Sequence, residues 1–156
     1  MSDADRVWEL SKQLDYCMFV TRSSQSLRSR PMSTIVNKAR NCIYMLTSVG
    51  DLKDDEIARD PMVLLAYSNG SNIFVSVSGT AIIAADRTLV KELWSSGAQA
   101  FWPKGPDDPQ VVVIHVTPHN AEFWDGDSRI VSTVKFAIAL ATGTVPSMGD
   151  NKKVSL

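Results

Sequence analysis

The run most suited to binding chemistry is Arg28-Ser29-Arg30-Pro31-Met32-Ser33, which places two arginines beside a proline. A planar guanidinium can donate two parallel hydrogen bonds to a phosphate. Pro31 also restricts the backbone next to Arg30. The run therefore predicts a phosphate contact on a strand. Two solvated arginines on an edge strand would give the same pattern, so these residues alone leave both interpretations open.

A second run, Met45-Leu46-Thr47-Ser48, ends a predicted strand and is followed by Lys53. A strand end supplies hydroxyls and backbone donors, and the start of the next helix supplies free N–H groups that suit a phosphate. Lys53 adds a positive charge. A plain strand, turn and helix with a capping serine would explain the same residues.

Two aromatic segments, Phe101-Trp102-Pro103-Lys104-Gly105 and Glu122-Phe123-Trp124-Asp125-Gly126, place tryptophans beside glycine or proline. A tryptophan in such a loop has less reason to be core than one on a helix face. It can cover a flat aromatic ligand or pack in a subunit interface.

The common catalytic motifs are missing from the sequence. There is no GxSxG, no Walker phosphate loop and no HExxH. His115 lies in an apolar strand, where a structural role is the commoner one, and His119 lies in a Pro-His-Asn segment predicted to turn. We interpret Asp54-Asp55-Glu56 as the solvated face of a short helix. The sequence therefore names no catalytic residue and predicts no metal site.

The elements that must position these residues alternate between short helices and strands. A first helix is predicted over residues 3 to 14, because Ser2 and Asp5 resemble a capping box and apolar residues follow at helical spacing. Pro31 confines its segment to a sheet edge or a bulge, and Gly79 suggests a bulge or a close backbone approach. The other predicted strands cover 16–21, 42–47, 62–67, 73–85, 111–117 and 121–124, and the other helices cover 53–58, 86–94 and 132–141.

Tight turns between consecutive strands imply antiparallel pairing. The fold class predicted is mainly β (α+β), with five to seven antiparallel strands closed into a barrel and a few flanking helices. A chain of 156 residues suggests one domain over 1–156. The polar residues from 143 to 156 are expected to be frayed or draped.

The bulk composition argues against several classes of partner. The formal net charge is −1, which disfavours a nucleic-acid surface or an electrostatic membrane anchor. No apolar run reaches the ~18 residues that span a bilayer. The two cysteines lie in apolar runs and the N-terminus does not resemble a signal peptide, so we expect a cytoplasmic protein.

Several further segments, taken in order, carry a family resemblance. They are Arg28-Ser29-Arg30-Pro31-Met32, Tyr44-Met45-Leu46-Thr47 with Lys53, Val75-Ser76-Val77-Ser78-Gly79-Thr80-Ala81, Asp86-Arg87, Leu93-Trp94, Phe101-Trp102-Pro103-Lys104-Gly105-Pro106-Asp107-Asp108-Pro109 and Ala121-Glu122-Phe123-Trp124-Asp125. From Val7 to about Val154 the chain resembles the pyridoxamine 5'-phosphate oxidase-like flavoproteins, and in particular their general stress protein branch.

This resemblance implies a split β-barrel and an intimate homodimer that binds flavin mononucleotide (FMN) between its subunits. On that basis Arg30 and Lys53 would hold the phosphate, assisted by Thr47 and Ser48. The backbone around Pro31, Met32 and Ser33, and around Met45 and Leu46, would line the ring and ribityl chain. Trp102 and Trp124 would approach from the second subunit.

The chain departs from the pyridoxamine phosphate oxidases where they grip their substrate. Arg129-Ile130-Val131-Ser132 stands in place of a basic stretch that contains a histidine and a second arginine. Ile35 and Phe74 replace a lysine and a glutamine. We therefore predict that this protein does not oxidise pyridoxamine phosphate.

Three functions remain open from the sequence. The first is an FMN-dependent oxidoreductase of the general stress protein type. The second is a module that binds or senses FMN without specific turnover, consistent with the missing acid and base groups. The third is a scaffold that keeps the barrel and dimer but has lost the ligand, or that uses another ligand such as heme or a deazaflavin.

Overall fold

The computed structural model describes residues 1–126, 129–146 and 151–156, with side chains at all of these except 52–54 and 129–131. Strands alternate with short helices along the chain. In order the elements are α1 (Asp3–Leu14), β1 (Tyr16–Arg22), β2 (Leu27–Ser33), β3 (Ile35–Asn37), a 3-10 turn (Lys38–Arg40), β4 (Cys42–Ser48), α2 (Leu52–Arg59), β5 (Met62–Ser68), β6 (Ile73–Ala84), α3 (Arg87–Glu92), α4 (Ser96–Phe101), β7 (Val111–Asp125), α5 (Arg129–Thr142) and β8 (Asn151–Ser155).

Eight strands of the described chain form one antiparallel sheet in the order β2-β1-β5-β6-β7-β4-β3, with β8 pairing to β7 as well. Only Thr34 separates β2 from β3, although these strands are the two ends of that order. The Cα atoms of β2 and β4 also approach within 8 Å. The sheet therefore curls until its ends meet, which confirms the predicted split barrel.

The first helix begins as its sequence predicts. The Ser2 side chain accepts a hydrogen bond from the Asp5 backbone N–H, and Asp5 accepts one from the Ser2 backbone in return. This reciprocal capping satisfies two of the N–H groups that a helix start leaves unpaired. The buried face of α1 then packs Val7 and Leu10 into the barrel core.

Two apolar clusters lie on opposite sides of β4. The first fills the barrel and includes Phe19, Ile43, Met45, Leu65 and Val77. The second lies outside the barrel, between β4, β7 and the segment that contains α3 and α4; its members are Cys42, Tyr44, Val90, Val111 and Val113. Because neighbouring strand residues point to opposite faces, β4 contributes alternately to each cluster.

Glycine 79 marks the bulge that the sequence predicts in β6. The register between β6 and β7 shifts between Ser78 and Gly79, and Gly79 faces Pro118 of β7. A Cβ atom at Gly79 would lie 2.2 Å from the Thr117 carbonyl oxygen. The close backbone approach therefore requires glycine at this position.

The structure corrects three predictions on the secondary elements. β7 is one strand of 15 residues rather than two strands separated by a turn at His119. The C-terminal tail is not frayed throughout, because Asn151–Ser155 forms β8 against β7. The helix α4, capped by Ser95, falls in a segment for which no element was predicted.

Within the described ranges, no helix combines the length and the apolar character required to cross a bilayer.

Candidate functional site

The strand β2 presents its two arginines on the barrel side. Pro31 lies directly opposite Met18 of β1, at the sheet edge where a residue without an N–H is tolerated. Met32 packs against the barrel cluster, and alternation along the strand places Arg30 and Arg28 on that same side. Pro31 and Ser33 consequently face outward.

Arg30 is held by two side chains from neighbouring elements. Its Nη1 donates to the Thr21 hydroxyl of β1 at 2.6 Å, and its Nη2 donates to Glu56 Oε2 of α2 at 2.8 Å. The Thr21 hydroxyl donates in turn to the same Glu56 oxygen. These three groups form a closed triangle that joins β1, β2 and α2.

Glu56 is the residue of this site that the sequence interpretation missed. It was assigned to a solvated helix face, but only 9% of its side chain is exposed and the next residue, Ile57, belongs to the barrel core. Burial raises the pKa of Glu56. Hydrogen bonds from Thr21 and Arg30, together with the charges of Arg30 and Arg28, outweigh burial and hold this pKa below its usual range.

A signal for this contact was present in β1. Cys17, Phe19 and Thr21 occupy alternate positions, so a strand that buries the first two must also turn Thr21 inward. A buried hydroxyl requires a polar partner, which implies that a charged or polar group reaches it from another element.

Arg28 lies at the rim of the same cluster. Its Nε is 3.6 Å from Glu56 Oε1, while 49% of its side chain is exposed. This arginine therefore adds positive charge beside Arg30 and remains accessible to solvent.

The residues predicted on β4 divide between its two faces. Met45 points into the barrel cluster, and alternation places Thr47, which is buried, on the same side. Leu46 packs against the second cluster, and Ser48 lies on that face as well. The side chains of Thr47 and Ser48 are therefore directed to opposite sides of the sheet.

Trp102 is engaged within its own chain. Its indole N–H donates to Ser48 Oγ at 3.0 Å, and its ring lies 6.3 Å from that of Trp94, centroid to centroid. The sequence-based expectation placed this side chain at the second subunit. Within its own chain the indole packs on the outside of the barrel, and its approach to a second subunit stays a prediction.

Arg87 fixes the loop that follows Trp102. Its guanidinium donates to the carbonyl oxygens of Pro106, Asp108 and Val111 at 2.8, 2.9 and 2.9 Å. The Asp86-Arg87 pair noted in the sequence therefore has two roles, because the Asp86 side chain also caps α3.

Trp124 lies on a different surface, which we call the open face. It consists of the outward residues of β1, β5, β6 and the C-terminal part of β7: Tyr16, Met18, Met62, Leu64, Ala66, Phe74, Ser76, Ser78, Asn120, Glu122 and Trp124. Four large apolar side chains on this face, Tyr16, Met18, Met62 and Phe74, are exposed. Trp124 pairs with Phe74 across the strands, and Pro31 continues the face through Met18.

A groove of about 490 Å³ runs along the open face. Its lining includes Leu64, Ser76, Ser78, Asn120 and Glu122, with Lys153 at one side. The side chains of Pro31, Ser33 and Trp124 thus lie on this side of the sheet, while the predicted contacts of the backbone around Pro31, Met32 and Ser33 with the ring and ribityl chain stay a prediction. Arg30, Met32, Met45 and Thr47 are on the barrel side.

Lys53 belongs to the first turn of α2, but its side chain lies outside the described residues. Its predicted phosphate contact therefore stays a prediction.

Comparison with known proteins identifies the family of this chain. Residues 2–147 match the family described as "Pyridoxamine 5'-phosphate oxidase like". The chain belongs to this family, which confirms the resemblance seen in its motifs.

Of two curated relatives, one carries the name of the more specific branch. The chain is 31% identical to general stress protein 26 of Bacillus subtilis over 91 residues, which cover 56% of this chain and 64% of that protein. It is 27% identical to protein bli-3 of Neurospora crassa over 153 residues, covering 90% of this chain and 73% of that protein.

Solved structures agree on the fold. A general stress protein 26 from a Jannaschia species superposes with a TM-score of 0.77 at 24% identity, covering 99% of this chain and all of the other. A general stress FMN/FAD binding protein from Xanthomonas citri gives a TM-score of 0.70 at 23% identity, covering 80% of this chain and 89% of the other. At these identities the likeness establishes a shared architecture.

Proposed function

We propose that this protein is an FMN-binding flavoprotein that holds the flavin phosphate at Arg30. The observation that carries the proposal is the triangle of Arg30, Thr21 and Glu56, which joins β2, β1 and α2. The family membership and the FMN/FAD-binding neighbour from Xanthomonas citri support the choice of a flavin.

The donor groups of this site fit a phosphate monoester. A guanidinium carries five N–H donors, of which Thr21 and Glu56 occupy two on Arg30. Arg28 contributes a second, partly exposed guanidinium. The cluster of two arginines and one carboxylate keeps a net positive charge, which favours an anionic ligand.

We further propose that two copies of the chain pair through the open face, with each flavin bound at the interface. Tyr16, Met18, Met62 and Phe74 expose apolar surface there, and a groove runs beside them. Exposed apolar residues grouped on one face are a feature of interaction sites. Trp124 would reach the flavin from the partner on this arrangement, whereas Trp102 serves its own chain through Ser48.

A bound flavin would supply the redox chemistry of an oxidoreductase. The contribution of the chain is to bind and orient it: Arg30 and Arg28 neutralise the phosphate, and the buried Thr47 and Met45 exclude water from the barrel side. No side chain of the described site is placed as a general base. Ile35 and Phe74 offer no charge to a second phosphorylated substrate, so pyridoxamine phosphate oxidation is not expected.

The test is a titration of the purified protein with FMN and with riboflavin, followed by flavin absorbance and fluorescence. We expect FMN to bind more tightly than riboflavin, because only FMN carries the phosphate. Arg30→Lys should weaken FMN by about tenfold and leave riboflavin unchanged, since a lysine keeps the charge but loses the planar fork. Arg22→Ala is the matched control, because Arg22 is exposed and its ion pair, at 3.6 Å, is with Asp60. Equal affinity for both flavins, or none for either, would contradict the proposal.

A flavin-binding module without turnover is the second candidate, and the lack of a placed general base favours it. Rapid mixing of the FMN-loaded protein with reduced nicotinamide separates the two. Reduction faster than that of free FMN supports the oxidoreductase, and an equal rate supports the module. Tighter binding of heme or a deazaflavin than of FMN would support the third alternative.

A further inference from the structure

The guanidinium of Arg30 is fixed on one side and open on the other. Thr21 and Glu56 take one hydrogen bond each from its two terminal nitrogens. Nε and one further hydrogen on each terminal nitrogen have no partner among the residues that the structure describes. A second planar edge therefore remains for an oxyanion while the first edge stays anchored.

Glu56 is built into the protein as the anchor of that side chain. It is 9% exposed, accepts from both Arg30 and Thr21 through Oε2, and lies next to the core residue Ile57. Withdrawing Arg30 would leave a buried carboxylate with fewer partners, which is costly. The contact is therefore expected to persist when a ligand is bound.

Two opposite effects of Glu56 on a bound phosphate have to be compared. Its negative charge repels the phosphate, whereas its hydrogen bond holds Arg30 in one orientation. Arg28, with Nε 3.6 Å from the other Glu56 oxygen, offsets the repulsion and leaves the cluster positive. A flexible arginine loses rotamer freedom when it binds, and a side chain that is already fixed avoids that cost.

We propose that Glu56 is a positioning residue that, together with Thr21, preorganises Arg30 for the phosphate of a phosphate-monoester ligand. This inference rests on the proposed function and deepens it. It predicts the direction of the effect: removing the carboxylate weakens phosphate binding, although the loss of a repelling negative charge would by itself strengthen that binding.

The binding test compares Glu56→Ala, Glu56→Gln and Thr21→Val with the unchanged protein, using FMN and riboflavin as probes. We expect Glu56→Ala to weaken FMN by about tenfold, the size of one charge-assisted contact, without changing riboflavin. Glu56→Gln keeps an acceptor oxygen and should recover part of the FMN affinity. The FMN affinity of Thr21→Val should lie between those of Glu56→Ala and the unchanged protein. Asp60→Asn is the control, because the Asp60 side chain pairs with the exposed Arg22 at 3.6 Å and accepts from the Met62 backbone N–H. Unchanged or tighter FMN binding in Glu56→Ala, or in Glu56→Gln if the alanine variant fails to fold, overturns the inference.

A second readout needs no flavin. The Nη–H signals of Arg30 in nitrogen-15 NMR spectra of the ligand-free protein report how firmly Thr21 and Glu56 hold the guanidinium, and Arg30→Lys assigns them. We expect their hydrogen exchange to accelerate in Glu56→Ala and not in Asp60→Asn. Acceleration without any FMN binding by the unchanged protein would reject the proposed flavin and keep the positioning role. Unchanged exchange would reject the positioning role even if FMN binds.

Discussion

Arg30 could be selected from the sequence, but its partner Glu56 could not. An arginine beside a proline on a predicted strand is visible in the residue types, and the chemistry of a guanidinium then suggests a phosphate. The two hydrogen bonds that hold its guanidinium link it to Thr21, 9 positions away in the sequence, and to Glu56, 26 positions away. Such contacts depend on strand register and on the placement of α2, which residue types alone do not encode.

The charge on Glu56 predicts a pH-dependent stability. The pKa of this residue is held below its usual value in the folded protein, so the ionised form is favoured by folding. Its contribution is fully present above the unfolded pKa of about 4.3 and is lost as the pH falls through the lower folded pKa. Glu56→Gln should therefore cost about 1–2 kcal/mol in the free energy of unfolding at pH 7 and less at pH 3.5.

Urea unfolding of both proteins at the two pH values measures this difference. Glu9→Gln is a suitable control, because Glu9 forms a surface ion pair with Arg6 and 49% of its side chain is exposed. Such a pair contributes little, so its substitution should change stability by under about 0.5 kcal/mol at pH 7. A cost for Glu56→Gln that grows on acidification would show that the carboxylate is not stabilised by its arginines.

At the scale of elements, the sequence predicted the strands with clear alternation. The prediction failed where a strand depends on contacts with another part of the fold. Pro118-His119-Asn120 has the composition of a turn, yet β7 runs through it. The reason lies on the partner strand, where the bulge at Gly79 accommodates Pro118. Similarly, the polar tail forms β8 because Val154 and Leu156 pack against the barrel cluster, a gain that is invisible to local propensity.

The bulge itself predicts the effect of a single methyl group. In Gly79→Ala the new Cβ would lie 2.2 Å from the Thr117 carbonyl and 2.9 Å from the Pro118 Cα, both of which are backbone atoms. The strands would have to separate, and we expect a loss of about 3 kcal/mol in the free energy of unfolding. Gly97→Ala is the control, since its nearest neighbour is the Ser95 hydroxyl at 3.6 Å and alanine favours the helix α4. Urea unfolding of the two variants measures both effects, and equal stability would refute the close approach.

At the scale of the whole molecule, the barrel separates the candidate site into two sides. Arg30 and its partners lie on the barrel side, whereas Trp124 and Pro31 face outward on the open face. The family resemblance implied a site between two subunits, with Trp124 reaching it from the second subunit. Strand alternation explains why these side chains lie on opposite sides of the sheet within one chain. A ligand that extends around the edge strand β2 to a second copy of the chain would contact both sets of residues.

The exposed apolar residues of the open face therefore predict the oligomeric state. Phe74 is 44% exposed near the start of β6 on this face, opposite Trp124. If two chains pair there, Phe74→Glu would bury a charge without a partner, and dissociation is expected because such burial is strongly unfavourable. Light scattering after size exclusion should then show a mass that falls from about twice 17.1 kDa to 17.1 kDa, with weaker FMN binding. Phe101→Glu is the control, because Phe101 is 80% exposed on α4 and is not among the residues of the open face, so it should leave the dimer intact. A monomeric unchanged protein, or a Phe74→Glu variant that stays dimeric, would show that the open face is not the interface.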